Sequence, residues 1–187
     1  NVFGTLKFVN GRTISRSSAD KLLRSYWNRI DRMFFGKAAE RQNMRVPRWC
    51  FAHEGGDTEN YHIHFALQAP IPDVNHMCCT LNAVWAQHHN QTAPLFKNWI
   101  MPVTDRTAVA SYLTREYWRL GSDTISDNLC WDTPQLNFAP NDNYAQQQAH
   151  RITRAASPLW LQQAQQALHS QQARYEASGD LQMMERG

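Results

Sequence analysis

The stretch that decides the fold runs from residue 46 to residue 68, VPRWCFAHEGGDTENYHIHFALQ. Val46 to Glu54 reads as a strand, with Pro47 near its start, where proline is tolerated. Residues 60–68, NYHIHFALQ, read as another strand. Gly55-Gly56-Asp57 between them is a turn signal. The short, glycine-containing connection folds the two strands into an antiparallel hairpin.

Working outward from the hairpin, helical periods appear on both sides. Upstream, residues 2–9, VFGTLKFV, predict a first strand, and NGRTISRS a loop. A long amphipathic helix follows. Ala19, Leu22, Leu23, Tyr26, Trp27, Ile30, Met33 and Phe34 recur at three- and four-residue steps, so they line one apolar stripe. Ser18 or Asp20 caps its start and Gly36 its end. Residues 38–45 are polar and read as loop. Downstream, Pro70 and Pro72 break the strand and Asp73 caps a second helix carrying Val74, Met77, Cys78, Leu81, Val84, Trp85 and His88. Residues 98–103, NWIMPV, predict a fourth strand. Thr104 or Asp105 caps a third helix with Ala108, Val109, Tyr112, Leu113 and Glu116.

The order is strand, helix, strand, strand, helix, strand, helix. That predicts an α+β fold, a ferredoxin-like split βαβ with a central antiparallel sheet flanked by helices, strands one and three adjacent in the middle. Residues 1–121 make the core. Residues 122–187 divide into a polar, aromatic-spotted loop region and a Gln/Ala-rich C-terminal helix over 157–178. Its stripe of Leu159, Leu161, Ala164 and Leu168 is thin, which suits a peripheral helix or a contact to a further domain.

The bulk numbers set limits. At 187 residues the chain makes one domain, or one domain and an appendage. A hydrophobic share of 42% excludes a fully disordered chain. No run approaches the ~18 apolar residues of a membrane span, and the N-terminal segment lacks a secretory layout. The net charge is +3, a mildly basic balance that by itself identifies no partner. The four cysteines, Cys50, Cys78, Cys79 and Cys130, form no C-x-x-C pair. They read as free thiols, which places the chain in an intracellular, reducing compartment, the cytoplasm if it is bacterial or encoded by a plasmid or phage. No G-x-x-x-x-G-K-[ST] motif occurs, which removes a P-loop ATPase.

Two segments carry chemistry. His62 and His64 stand two apart on a predicted strand, so they share a face and can reach one metal while Ile63 enters the core. Glu54 ends the partner strand, where the hairpin brings its carboxylate beside them. Two imidazoles and a carboxylate make a facial site with open positions for water and substrate. His53 is the reserve ligand, although alternation should turn it to the face opposite Glu54. The bland alternative is a pair of structural histidines on a half-exposed sheet. The second segment is Tyr112-Leu113-Thr114-Arg115-Glu116. By the i, i+3, i+4 rule Tyr112, Arg115 and Glu116 share a helical face. Tyrosine, with a pKa near ~10, is a weak nucleophile unless a metal or arginine supplies positive field. Its alternative role is as one more member of the apolar stripe.

In this order the segments resemble the HUH endonuclease superfamily, most closely its single-tyrosine rolling-circle replication initiators. Phe3-Gly4-Thr5-Leu6-Lys7-Phe8 is similar to the family's first motif, His62-Ile63-His64 to its second, and Tyr112-Leu113-Thr114-Arg115-Glu116 to its third. Arginine stands where the family usually has lysine, and arginine does not exchange protons in practice. The resemblance covers residues 2–121. It implies a sequence-specific endonuclease and strand transferase acting on single-stranded or hairpin origin DNA. His62, His64 and Glu54 would hold Mn²⁺ or Mg²⁺, Tyr112 would form a 5′-phosphotyrosine link, and Arg115 would hold phosphate. Tyr117, five residues on, points away from Tyr112, so one nucleophile is expected. Arg12, Arg16, Trp118 and Arg119 are the candidate DNA contacts. The resemblance also admits a host or viral helicase or polymerase as partner. A transposase or mobilisation relaxase of the same superfamily, and a non-catalytic single-strand binder, are the alternatives. A phosphodiesterase with twin H-x-[ST] motifs is set aside, because a second such pair is missing.

Overall fold

The side chains of each strand alternate, and in this chain the two faces they make are unlike. The computed structural model describes residues 1–53, 60–88, 90–115, 117–126, 147, 150–151 and 158–179. Strands β1 (Val2–Lys7), β2 (Arg48–His53), β3 (His62–Leu67) and β4 (Trp99–Pro102) form one antiparallel sheet in the order β2-β3-β1-β4. The central position of β1 and β3 agrees with the sequence. Around the sheet lie α1 (Arg16–Phe35), α2 (Ala38–Arg41), α3 (Val74–His88), α4 (Arg106–Thr114), α5 (Tyr117–Leu120) and α6 (Pro158–Ser178). Single 3-10 turns sit at Leu95–Lys97 and Gly121–Thr124. The architecture is α+β with an open antiparallel sheet, a split βαβ plan, and a C-terminal helix. No helix among the described residues is long and apolar enough to cross a membrane.

One face, bearing Gly4, Cys50, Ile63 and Phe65, packs on α1 and α3. The Trp27 ring meets Phe65 edge-on at 5.3 Å, and Trp85 meets both Phe8 and Tyr26. Trp27, Trp85, Tyr26 and Phe65 are fully buried, each worth ~1.5–3 kcal/mol relative to exposure. Only glycine fits at position 4, because a Cβ there would stand 2.3 Å from the Phe65 ring. This face also hides an ion pair. Asp31 of α1 accepts from both terminal nitrogens of Arg48, at 2.8 and 3.0 Å, and from the Val46 amide at 2.9 Å. Burial pushes the Asp31 carboxyl up, and the Arg48 guanidinium pulls it back. Cys50, Cys78 and Cys79 are buried. Desolvation raises the Cys78 thiol and takes Cys79 to about 11, so neither is a thiolate at neutral pH. Cys130 lies outside the described residues.

Several boundaries differ from the sequence reading. The cap of α1 is Ser15, whose hydroxyl accepts from the Ser18 amide, not Ser18 or Asp20. The run Ser15-Arg16-Ser17-Ser18 offers several capping oxygens, and the one that aligns the apolar stripe with the sheet prevails. Ala38–Arg41 is a turn of helix rather than loop. Gly36 ends α1 in a positive-φ conformation, and Asp105 caps α4 by accepting from the Thr107 and Ala108 amides. The helix bearing Tyr112 stops at Thr114, and Tyr117 opens a separate short helix. No Gly or Pro marks that break.

The C-terminal helix has a specific seat. Ala164 and Leu168 are buried against the body. Gln171 donates to the Asn98 carbonyl at 2.7 Å and accepts from the Ile100 amide at 3.2 Å. Its side-chain amide thus binds β4 as a neighbouring strand's backbone would.

Candidate active site

The other face of the sheet carries Phe3, Thr5, His53, His62, His64 and Ala66, and α4 crosses it. The registers Thr5↔His64 and His53↔His62 bring three imidazoles together. This corrects one expectation. His53 was expected on the opposite face, yet its ring stacks on His62 with centroids 4.3 Å apart. The pairing of the strands decides this, because directly opposed residues share a face. Glu54, the predicted third ligand, lies outside the described residues, as does Glu116.

All three imidazoles are buried, so each ring nitrogen needs a partner. His62 donates through Nδ1–H to the Asn60 carbonyl at 2.7 Å. A carbonyl only accepts, so this bond fixes the tautomer and leaves a lone pair on Nε2. That Nε2 faces the Nε2 of His64 at 3.2 Å. The Nδ1 of His64 meets the Thr5 hydroxyl at 2.9 Å. A hydroxyl rotates, so Thr5 serves either tautomer of His64. When it donates, His64 carries its proton on Nε2 and gives it to His62. When it accepts, both Nε2 lone pairs point at one spot, an arrangement that repels unless a cation sits there.

The spacing suits a cation. Two nitrogens bound at ~2.0–2.1 Å to one ion stand about 2.9–3.4 Å apart, from right-angled to tetrahedral geometry. Backbone and hydroxyl partners on the far nitrogens are the supports that metal-bound imidazoles usually have. Among the described residues no set of three His, Cys, Asp or Glu side chains is arranged to hold an ion. His53 does not complete one, because its Nε2 accepts from Arg115 Nη2 at 2.8 Å. Glu54, expected from the sequence as the third ligand, is not among the described residues.

Tyr112 lies against this pair. Its ring stands edge-on to His64 at 4.9 Å and to Phe3 at 5.6 Å, and it is buried. The Arg115 guanidinium lies 4.7 Å above the Tyr112 ring. One arginine therefore touches the phenol and the His53 imidazole together. It occupies the C-cap of α4, with its amide bonded back to the Tyr112 carbonyl, which keeps the two side chains on one side of the helix. Tyr117 is 40% exposed and stacks edge-on with Trp118, which is 86% exposed. Tyr117 is therefore turned to solvent, unlike the buried Tyr112.

The remaining site candidates are spread out. Arg12 is exposed in the loop after β1. That loop is fastened at the histidine end of the sheet, where the Tyr61 amide donates to the Gly11 carbonyl at 3.0 Å. A Cβ on Gly11 would come within 2.6 Å of Asn60, whose carbonyl holds His62. Arg16 donates to the Asp123 carbonyl, tying the start of α1 to the turn after α5. The Arg119 side chain lies outside the described part of the chain. The sequence reading missed Thr5 as a histidine partner and His53 as the seat of Arg115. The strand register could have revealed both.

No family model, curated protein or solved structure matches this chain.

Proposed function

We propose that the chain is a metal-dependent nicking endonuclease and strand transferase of the HUH type, acting on single-stranded origin DNA to start rolling-circle replication. One observation carries this reading: the two imidazole Nε2 atoms meet at 3.2 Å, and a buried tyrosine with an arginine over its ring lies against them. Hydrolases that rely on a water nucleophile do not need that tyrosine.

Mn²⁺ or Mg²⁺, held by His62, His64 and Glu54, would polarise a scissile phosphate and stabilise charge that develops on it. The chain's own residues do the rest. Asn60 fixes the Nε2 lone pair of His62, and Thr5, by accepting from Nδ1–H, allows His64 to present its own. Arg115 holds the Tyr112 ring and offers cationic nitrogens to a phosphate, without exchanging a proton. Tyr112 attacks the phosphorus through its oxygen. The P–O bond to the neighbouring 3′ oxygen breaks, leaving a 5′-phosphotyrosine enzyme and a 3′-hydroxyl strand. The ester bond is exchanged and not spent, so the reverse attack rejoins the strand without a nucleotide cofactor.

The test is covalent capture. Labelled single-stranded origin DNA incubated with the protein and Mn²⁺ should give a denaturant-resistant adduct that a chelator prevents. Tyr112→Phe removes one oxygen and should abolish the adduct, whereas Tyr117→Phe should leave it largely intact. An adduct that survives Tyr112→Phe but not Tyr117→Phe would move the nucleophile to α5. DNA binding with no adduct under any divalent ion would reduce the chain to a single-strand binder.

A further inference from the structure

A groove lies along β4 and the end of β1, apart from the histidine pair. It has a volume of about 840 Å³ and runs between the 3-10 turn Leu95–Lys97, the ends of β1 and β4, and α6. Lys7, Lys97 and Arg174 line it, and among the described residues no Asp or Glu does. Phe96 stands on its wall 71% exposed, with the Lys97 ammonium 5.9 Å from its ring centroid. Gln163 and Gln166 on α6 supply side-chain amides. The groove begins at Lys7, whose register partner is His62.

We infer that this groove is the track for the single-stranded DNA flanking the scissile phosphate, with Lys7, Lys97 and Arg174 contacting phosphates and Phe96 stacking on a base. The inference rests on the nuclease reading for the identity of the strand. Four features favour a nucleic-acid strand over a peptide. The lining charge is of one sign. The exposed ring is flat and adjoins a cation, the pairing that single-strand grooves use. The amides accept and donate as base edges require. Lys7, which lines the groove, is also the register partner of His62, so a strand leaving the scissile phosphate would meet the groove at Lys7. An apolar helix would find too many cations here, and an acidic peptide has no need of an exposed phenyl ring.

The outer face of α1 is also basic, with Lys21, Arg24, Arg29 and Arg32 around one hollow. It lies on the helix-covered side of the sheet, and its described lining has His88 but no Phe, Tyr or Trp on which a base could stack, so it provides the control. The experiment follows fluorescence anisotropy of a labelled single-stranded oligonucleotide across a salt series, with each sample also run on a denaturing gel. Lys97→Ala and Arg174→Ala should each flatten the slope of log affinity against log salt by about 0.7. Phe96→Ala should weaken binding about fivefold to a hundredfold with no change in slope. Arg24→Ala should change neither. Unchanged affinity and slope in the three groove variants, or an equal change in Arg24→Ala, would overturn the inference. Melting curves check that each surface variant is folded. Binding and chemistry are read apart. If the parent protein forms no adduct while the groove variants still lose affinity, the nuclease reading falls and the groove stands. If the adduct forms while binding ignores all three changes, the groove falls alone.

Discussion

The two faces of one sheet meet the cost of burying polar groups in opposite ways. On the helix-covered face Asp31 and Arg48 close on each other, with the Val46 amide taking one more carboxylate lone pair. That cluster is directed inward, toward α1. On the histidine face, Asn60 and Thr5 occupy the outer nitrogens of His62 and His64, while the inner nitrogens face each other at 3.2 Å. One face uses polar groups to fix the position of α1 against the sheet. The other leaves two of them aimed at a shared point. The contrast between the faces lies in where their polar groups point.

The sharpest test of the contrast is Arg48→Met. It strips Asp31 of its main counter-ion and should cost about 3–5 kcal/mol in urea denaturation, while adduct formation per folded molecule stays at the parental level. Burial already raises the Asp31 carboxyl, and Arg48 is the chief opposing influence. Without Arg48 the carboxyl rises further. A carboxyl with a raised folded value gives up stability as pH climbs from the ordinary carboxyl value through the raised one. The variant's deficit should therefore grow from acid toward neutral pH. A pH-independent deficit would mean that Asp31 is not the group left exposed to the charge imbalance.

A smaller effect is expected from Gly4→Ala. The new methyl must displace a Phe65 ring wedged against Trp27, which should cost about 1–3 kcal/mol, again without altering metal dependence. Thr5→Val, the next residue along β1, points to the other face and should behave in reverse. The fold should lose little. Divalent-ion affinity, read as the Mn²⁺ concentration that gives half-maximal adduct, should weaken about 10–100-fold. If Gly4→Ala changed the metal requirement, or Thr5→Val changed only stability, the division between the faces would not hold.

Much of this was legible in the sequence. Apolar periodicity gave the order of elements, because long stripes such as Ala19 to Phe34 outweigh local ambiguity. The histidine pair was visible because alternation on a strand is independent of register. What needed register was not visible. His53 reached the site through its pairing with His62, and the turn between them gives no way to count residues across it. Asp31 and Arg48 look like solvated charges until the partner element is known. The end of α4 was hidden because Arg115 has helical dihedrals and carries on the pattern for one residue beyond the last hydrogen-bonded turn. Gln171 was hidden among the glutamines of a helix whose composition reads as surface.

That glutamine also sets a timetable. The atoms it joins on β4 are separated from it by 71 and 73 positions along the chain. At a synthesis rate of 5–20 residues per second, roughly 4–14 s pass between the emergence of β4 and the arrival of the side chain that covers it. Through that interval the Ile100 amide and the Asn98 carbonyl are available to any extended segment nearby, including the same strand of a chain on the next ribosome. The nascent protein is thus most prone to go astray after its sheet is complete and before its last helix has docked.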